Sequence, residues 1–245
     1  SFIACESFTE LLNKVSSENC LGLLPVENSI AGTVNEAYEE LINSGLEIFG
    51  EYIKKIVHTL IGLSNSKFEE ITHVISHPQA LQQCSKFLQD SKLRITPVFD
   101  TAGSVFEILE TKDINTAAIA GEHFKNDERF KILKENISNH QENFTRFLLI
   151  GNEKLESNKE NNKYSSVLIS DDKPGSLLKA LNIFSDLNIN LTKLESRPIL
   201  GRPWEYKFYI DYELQNVKTQ MELIDGIKKV SKEFIILGHY PKANP

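Results

Sequence analysis

At 245 residues the chain is long enough for two domains of ordinary size. Its composition, 40% apolar and 25% charged, is that of an ordinary soluble chain, and a formal charge of −7 with no Lys/Arg cluster on any predicted helix argues against nucleic acid as a partner. No apolar stretch approaches the roughly 18 residues of a membrane span, and Cys5, Cys20 and Cys84, without C-x-x-C spacing, fit reduced thiols in a cytoplasmic protein.

The chain opens on "SFIACESFTELL", which lacks an initiator methionine and reads as the middle of a strand, so an upstream segment is expected. "LGLLPV" (21–26) is an apolar strand leading into "TVNEAYEELINSG" (33–45). There Val34, Ala37, Tyr38, Leu41 and Ile42 follow helical spacing, and Gly45 supplies the stop. "LEIFGEYIKKIVHTLIGLS" (46–64) alternates and is too rich in β-formers for a helix; it predicts long strands crossing between two lobes. "HVIS" (73–76) leads into "PQALQQCSKFLQD", "RITPVFD" (94–100) into "AGSVFEILE", and "TAAIA" (116–120) into "GEHF". Strand, turn, helix, repeated, predicts an α/β domain with largely parallel sheets. "NHQENFTRFLLIG" (139–151) then enters what reads as a buried strand.

"NEKLESNKENNK" (152–163) has neither apolar period nor aromatic residue and predicts a solvated linker. Beyond it come a strand, "YSSVLIS" (164–170), and a helix, "GSLLKALNIFSDLN" (175–188). Two alternating strands follow, "INLTKLESRPI" (189–199) and "WEYKFYIDYEL" (204–214), about the turn "LGRP". A second helix, "VKTQMELIDGIKKV" (217–230), and a last strand, "EFIILGHY" (233–240), complete a βαββαβ order, the ferredoxin-like arrangement. The predicted division is a domain at 1–151, a linker at 152–163 and a second domain at 164–245.

In open α/β sheets, ligands bind beyond the carboxyl ends of strands, where helix N-termini converge. Asn28 with Ser29, Ser76 with His77, Asp100 with Thr101, and Gly121 all occupy such points. Each alone is explained by helix capping, worth about 1 kcal/mol; together they suggest exposed N–H groups suited to an anion. His77 is either a general acid–base or, more simply, a hydrogen-bonded cap before Pro78. No second histidine lies at metal-ligand spacing, so zinc is not expected, and neither a G-x-S-x-G elbow nor a P-loop is present. Thr145 and Arg146 pose their own alternative. They are a strand threonine and a snorkelling arginine, or a hydroxyl and a cation brought to a site. From the residues alone the reading ends at a two-lobed anion binder joined to a small, regulatory-looking module.

Taken in order, "LPVENSIAGTV", "SHPQAL", "DTAGSV", "NFTRFLLIG", "KPGSLLKAL" and "LTKLESRPILGRPWEYKFYIDYEL" resemble prephenate dehydratase with a C-terminal ACT domain, essentially from Phe2 to Tyr240. The N-x-T-R-F block and E-S-R-P followed by W-E-Y are its specific elements. The resemblance implies a two-lobed catalytic domain like a type II periplasmic binding protein, with the active site between the lobes, followed by an α+β ferredoxin-like ACT domain. It implies conversion of prephenate to phenylpyruvate, water and carbon dioxide without a cofactor, in phenylalanine biosynthesis. It also implies allosteric inhibition by L-phenylalanine and a homodimer or homotetramer formed through ACT domains.

By the same resemblance Thr145 is the catalytic residue, hydrogen-bonding to the departing ring hydroxyl. Asn28, Ser29, His77, Thr101, Asn143 and Arg146 bind substrate, Arg146 by holding a carboxylate or ordering the site. Glu27 stands beside them with its direction open. The effector is expected at Gly175, Ser176 and Leu177, at Asn190, and at Glu195, Ser196, Arg197 and Pro198. Here "PGSLL" (174–178) corresponds to the family's G-A-L-V element, from which Ser176 and Leu178 depart. The family's opening strand and G-P-x-G-T-F-S-like loop do not occur in the sequence and are expected upstream. Two alternatives stand beside this reading: arogenate as the substrate, and a non-catalytic amino-acid sensor.

Overall fold

The computed structural model describes residues 2–18, 20–152 and 161–244, so most of the expected linker lies outside the described residues. The chain forms two compact units. One is Ser1–Lys54 together with Thr145–Pro245; the other is Lys55–Phe144.

The first unit begins with a helix rather than the expected strand. Residues 2–5 have no regular structure, and Phe2 and Ile3 are exposed. Phe8, Leu11, Leu12 and Val15 recur at helical spacing in α1 (Phe8–Glu18), whose inner face packs into the core. Then follow β1 (Gly22–Asn28), the short β2 (Gly32–Thr33), α2 (Asn35–Ser44) and β3 (Glu47–Lys55). Gly45 ends α2 in the left-handed conformation, φ 70°, where a Cβ would be strained.

The second unit holds β4 (His58–Leu63), β5 (His73–Ser76), α3 (Pro78–Gln83), α4 (Ser85–Ser91), β6 (Arg94–Pro97), α5 (Gly103–Thr111), β7 (Thr116–Gly121) and β8 (Phe130–Lys134). The stretch 46–64 is thus two strands, one in each unit. "GEHF" forms a 3₁₀ turn, Glu122–Asn126, rather than an α-helix. The five strands run in the order β6-β5-β7-β4-β8. Leu60, Val74, Ala117 and Ile119 face α3 and α4, whereas Ile61, Ile75, Ala118 and Ala120 face α5, so successive residues are buried on opposite faces. The expectation of largely parallel sheets needs correction. Only β5 pairs parallel, with β6 and β7; β4 pairs antiparallel with both β7 and β8. Helical crossovers link β5, β6 and β7 alone, and nothing compels the other strands to run with them.

The chain returns to the first unit through β9 (Phe144–Gly151), antiparallel to β1. The C-terminal elements are β10 (Lys163–Ile169), α6 (Ser176–Asp186), β11 (Asn190–Ile199), β12 (Arg202–Glu213), α7 (Val217–Lys228) and β13 (Glu233–Tyr240), the βαββαβ order read from the sequence. Asn216 caps α7, its side-chain oxygen accepting from Lys218 N at 2.9 Å. These strands do not form a separate sheet. The eight-stranded order is β11-β12-β10-β13-β3-β9-β1-β2, joined where β13 runs parallel to β3 with Gly238 opposite Ile48. A Cβ on Gly238 would stand 2.3 Å from the Ile48 carbonyl oxygen, so the close approach requires glycine. One core serves both halves of this sheet: Leu24, Ile48, Leu148 and Ile150 pack with Val167, Tyr209, Leu237 and Tyr240. Tyr38 of α2 stacks on Tyr209 of β12 at 4.7 Å between centroids.

Among the described residues, no helix is long and apolar enough to cross a membrane, and no group of three His, Cys, Asp or Glu side chains is placed to hold a metal. All three cysteines are free thiols.

Candidate active site

The antiparallel ladder of β1 and β9 sets Glu27 opposite Arg146 and Asn28 opposite Thr145. At the end of β1 the chain turns. Asn28 Oδ1 accepts from the backbone N–H of Ile30 at 3.1 Å and of Ala31 at 2.9 Å, an Asx-type turn that fixes which way the amide points. Its Nδ2 is therefore directed at Thr145 and donates to Oγ1 at 3.1 Å. Threonine is stiff at χ1, so the bond holds the hydroxyl in one direction. An oxygen that accepts from an amide keeps its own hydrogen to give. Ser29 follows in the exposed turn.

Arg146 points to the opposite face of β9. Successive strand residues alternate, so Thr145 and Phe147 share one face while Arg146, Leu148 and Ile150 share the other. Leu148 and Ile150 are fully buried, and Arg146 is only 9% exposed. Its Nε donates to Glu51 Oε2 at 2.7 Å, Nη1 to Asp211 Oδ2 at 2.6 Å and Nη2 to the Tyr240 hydroxyl at 2.9 Å. Nη1 also lies 3.5 Å from Glu27. Ser165 donates to Asp211 Oδ1 at 2.6 Å, so the 2.5 Å contact between Ser165 and Tyr240 is donated by Tyr240. A ring of hydrogen bonds closes through Arg146, Tyr240, Ser165 and Asp211.

Lys163 binds Glu51 at 2.8 Å, and Lys193 binds Glu27 at 3.1 Å. Three cations thus face three carboxylates, which compensates charge taken out of water. Burial acts to lower the Arg146 pKa, but Asp211, Tyr240, Tyr38 and Glu51 raise it further than burial lowers it. Burial likewise pushes the Tyr240 hydroxyl well up, helped by Asp211. The expectation that Arg146 holds a substrate carboxylate meets a different arrangement: the guanidinium is committed to carboxylates of the protein itself.

The remaining expected substrate-binding residues belong to the second unit. His77 is the N-cap of α3, its Nδ1 accepting from Gln79 N at 3.2 Å with Pro78 in the first turn. Thr101 gives its carbonyl to Ser104 Oγ at 2.7 Å. The adjacent Asp100 holds the start of α5 through the N–H groups of Ala102 and Gly103, at 2.6 and 2.8 Å. Asn143 is fully buried; its Nδ2 donates to Gln83 Oε1 at 3.0 Å, which also receives His58 Nε2 at 2.7 Å.

The expected effector residues do not form one group. Gly175, Ser176 and Leu177 line a cavity of about 370 Å³ with Lys173, Trp204 and Tyr206. Asn190 lines a different hollow with Phe184 and Asn188. Along β11, Glu195 and Arg197 lie on the half-buried face with Lys193, whereas Ser196 and Pro198 are on the exposed face. Glu195 accepts from Thr33 and pairs with Arg197.

Glu51, Asp211, Lys163, Lys193 and Tyr240 escaped the sequence reading. One signal was available: Asp211 is a lone carboxylate inside the apolar run "FYIDY", and a buried acid in a strand needs a cation.

The prephenate dehydratase family model matches residues 1–155. Prephenate dehydratase of Methanocaldococcus jannaschii is 38% identical over 240 residues, covering 97% of this chain and 86% of that protein. The chain belongs to the prephenate dehydratase family. Bifunctional chorismate mutase/prephenate dehydratase of Escherichia coli K12 is 29% identical over 98% of this chain, which spans only 63% of that longer protein. Among solved structures, prephenate dehydratase of Arthrobacter aurescens in complex with L-Phe superposes with a TM-score of 0.87 at 26% identity, over 98% of this chain and 81% of that one. A quorum quenching acylase, GqqA, superposes equally well, TM-score 0.87 at 26% identity over 98% of this chain and 88% of that one.

Proposed function

We propose that this chain is a prephenate dehydratase, converting prephenate to phenylpyruvate, carbon dioxide and water, and that L-phenylalanine inhibits it allosterically. The hydrogen bond from Asn28 Nδ2 to Thr145 Oγ1 carries the reading, because it turns the threonine into an oriented donor. As the ring carboxylate leaves as carbon dioxide, its bonding electrons enter the ring. The ring C–O bond breaks, and the ring becomes aromatic. The departing oxygen gains negative charge, which the Thr145 hydroxyl meets with a hydrogen bond, and a proton taken up from solvent completes the water. Aromatisation supplies the driving force, so the protein contributes mainly orientation and charge complementarity.

An acyl-transfer role of the kind named for GqqA would ask Thr145 to be a nucleophile with a base beside it. Its partner is an amide, which cannot take a proton, and this favours the dehydratase.

Asn28, Ser29, His77, Thr101 and Asn143 are assigned to substrate by family resemblance. In the same reading, residues 1–151 are a catalytic domain of the two-lobed type II periplasmic-binding-protein kind, 152–163 a linker, and 164–245 an ACT domain. The βαββαβ order and the E-S-R-P segment support the ACT assignment, and the L-Phe complex of the Arthrobacter relative supports the effector. Assembly is by ACT domains, as a dimer or tetramer, in the cytoplasm.

The test is turnover of prephenate, with arogenate in parallel, followed by absorbance of the aromatic product. Thr145→Ala should cut turnover by about a hundredfold or more, and Thr145→Ser should keep part of it. A wild-type protein inert toward both substrates would refute the enzyme; equal rates for Thr145→Ala and wild type would make Thr145 a strand residue only.

A further inference from the structure

We infer that Arg146 is a positioning residue, and that Asp211 and Lys193 of the C-terminal module, acting through Arg146 and Glu27, set the geometry of Thr145. This deepens the dehydratase reading and rests on it.

Glu27–Arg146 and Asn28–Thr145 are consecutive rungs of one β ladder. Backbone planarity and the pleat couple them, so a shift of β9 against β1 moves both rungs together. The second rung carries the oriented hydroxyl, and the first is pinned from the C-terminal module by three strands. β12 supplies Asp211 at 2.6 Å from Arg146 Nη1, β13 supplies Tyr240 at 2.9 Å from Nη2, and β11 supplies Lys193 at 3.1 Å from Glu27. Lys193 also donates to Thr33 Oγ1 at 2.7 Å, and Thr33 is itself paired with Glu27 across β1 and β2. Glu51 fixes the remaining side of the guanidinium.

Two features argue against a substrate carboxylate on Arg146. Each of its three nitrogens already donates to an acceptor of the protein, and the side chain is buried on the core face of β9 with Leu148 and Ile150. A buried ion cluster is a poor source of stability compared with apolar packing, but it is directional. Bonds from three nitrogens to three separate acceptors, two of them carboxylates, hold a planar guanidinium in one orientation. The same side chain that anchors the sheet junction therefore determines where the hydroxyl of the preceding residue, Thr145, points.

The experiment uses the full chain. Wild type, Arg146→Lys, Asp211→Asn and Lys193→Met are assayed on prephenate after circular dichroism has established that each is folded. Misplacing a catalytic group by a fraction of an ångström lowers kcat about tenfold or more, with KM within about threefold. That split is expected for all three variants, although Asp211 and Lys193 act only through other residues. The opposite pattern would overturn the inference: KM raised tenfold in Arg146→Lys, with wild-type kcat in Asp211→Asn and Lys193→Met. Should Asp211→Asn not fold, Tyr240→Phe removes a single oxygen from the same ring, and wild-type kcat in both it and Lys193→Met refutes the inference equally.

A second readout needs no turnover. The side-chain amide resonances of Asn28 report its bond to Thr145, and should shift in Asp211→Asn, Tyr240→Phe and Lys193→Met. Resonances that stay in place in the folded variants overturn the inference. An inactive wild type would sink the dehydratase reading alone, leaving the Asn28 resonances to decide this one.

Discussion

Replacing Asn28 with aspartate changes one atom's polarity at the centre of the site. One carboxylate oxygen takes over the bonds from Ile30 N and Ala31 N, and it accepts them at least as well as an amide oxygen does. The turn after β1 should therefore survive. The second oxygen lands where Nδ2 stood, 3.1 Å from Thr145 Oγ1, but now it can only accept. Thr145 has a single hydrogen, and it turns toward the new carboxylate. The hydroxyl loses its capacity to donate to the departing oxygen. Removing one such donor costs about 3 kcal/mol of transition-state stabilisation.

The added charge makes matters worse. At roughly 5 Å from the departing oxygen and an effective dielectric near 20, the repulsion is about 3 kcal/mol. Together these amount to about 6 kcal/mol, a fall in kcat of about ten-thousand- to a hundred-thousandfold in Asn28→Asp, every ~1.4 kcal/mol being tenfold. Asn28→Ala removes this bond and those from Ile30 N and Ala31 N, but it adds neither an acceptor nor a charge and should retain more activity. The assay is product absorbance at saturating prephenate, on proteins matched by thermal melting. If Asn28→Asp turned over as fast as Asn28→Ala, or faster, the direction assigned to the Thr145 hydrogen would be wrong.

Three further outcomes are expected. Gly238→Ala sets a Cβ against the Ile48 backbone oxygen, whereas at Gly50 on the same β3 the nearest atom is a Leu149 side-chain carbon at 3.7 Å. Gly238→Ala should thus destabilise by about 1–3 kcal/mol, lowering Tm by about 2–4 °C per kcal/mol, while Gly50→Ala should not; equal melting temperatures would refute the close approach. Burial pushes the Cys84 thiol up to about 12, so a thiol reagent at neutral pH should modify exposed Cys20 and spare Cys84 until the protein unfolds. Burial, with its ring stacked on Tyr164 at 4.0 Å, lowers the His239 pKa below 6.5. The unfolded chain then takes up the proton first as pH falls, so stability is full above 6.5 and declines below it. His239→Phe keeps the stack and should flatten the dependence of Tm on pH; an unchanged slope would count against His239 as its source.

Some of this fold was legible because it depends on local pattern. Asn216 before an amphipathic run, and Gly45 after one, mark helix ends wherever they occur. The βαββαβ order follows from such signals. Strand direction does not, since "TAAIA" is buried on both faces whether its neighbours run parallel or antiparallel. The start of the chain was misread for a different reason. "SFIACESFTELL" reads as a strand, yet Phe8, Leu11, Leu12 and Val15 recur at helical spacing. The union of the C-terminal strands with β3 had no local signal; it depends on one glycine meeting one carbonyl across 190 residues of chain.

The pairing of Thr145 with Arg146 shows where the remaining information lay. Read as a motif, adjacent residues invite one role, a hydroxyl and a cation serving the same substrate. Read as a strand, they cannot share one, because the period of two sends neighbours to opposite faces. "FTRFLLIG" already contains the answer: Leu148 and Ile150, in step with Arg146, are the residues a core would claim, and both are fully buried. Arg146 in that register had to find anions inside the protein, and "FYIDY" was carrying one. A cation forced onto the core side of a strand has few ways to be tolerated, and each requires a partner fixed by other elements. Those partners come from β3, β12 and β13, which is why the residue beside the Thr145 hydroxyl also records how the C-terminal strands are seated.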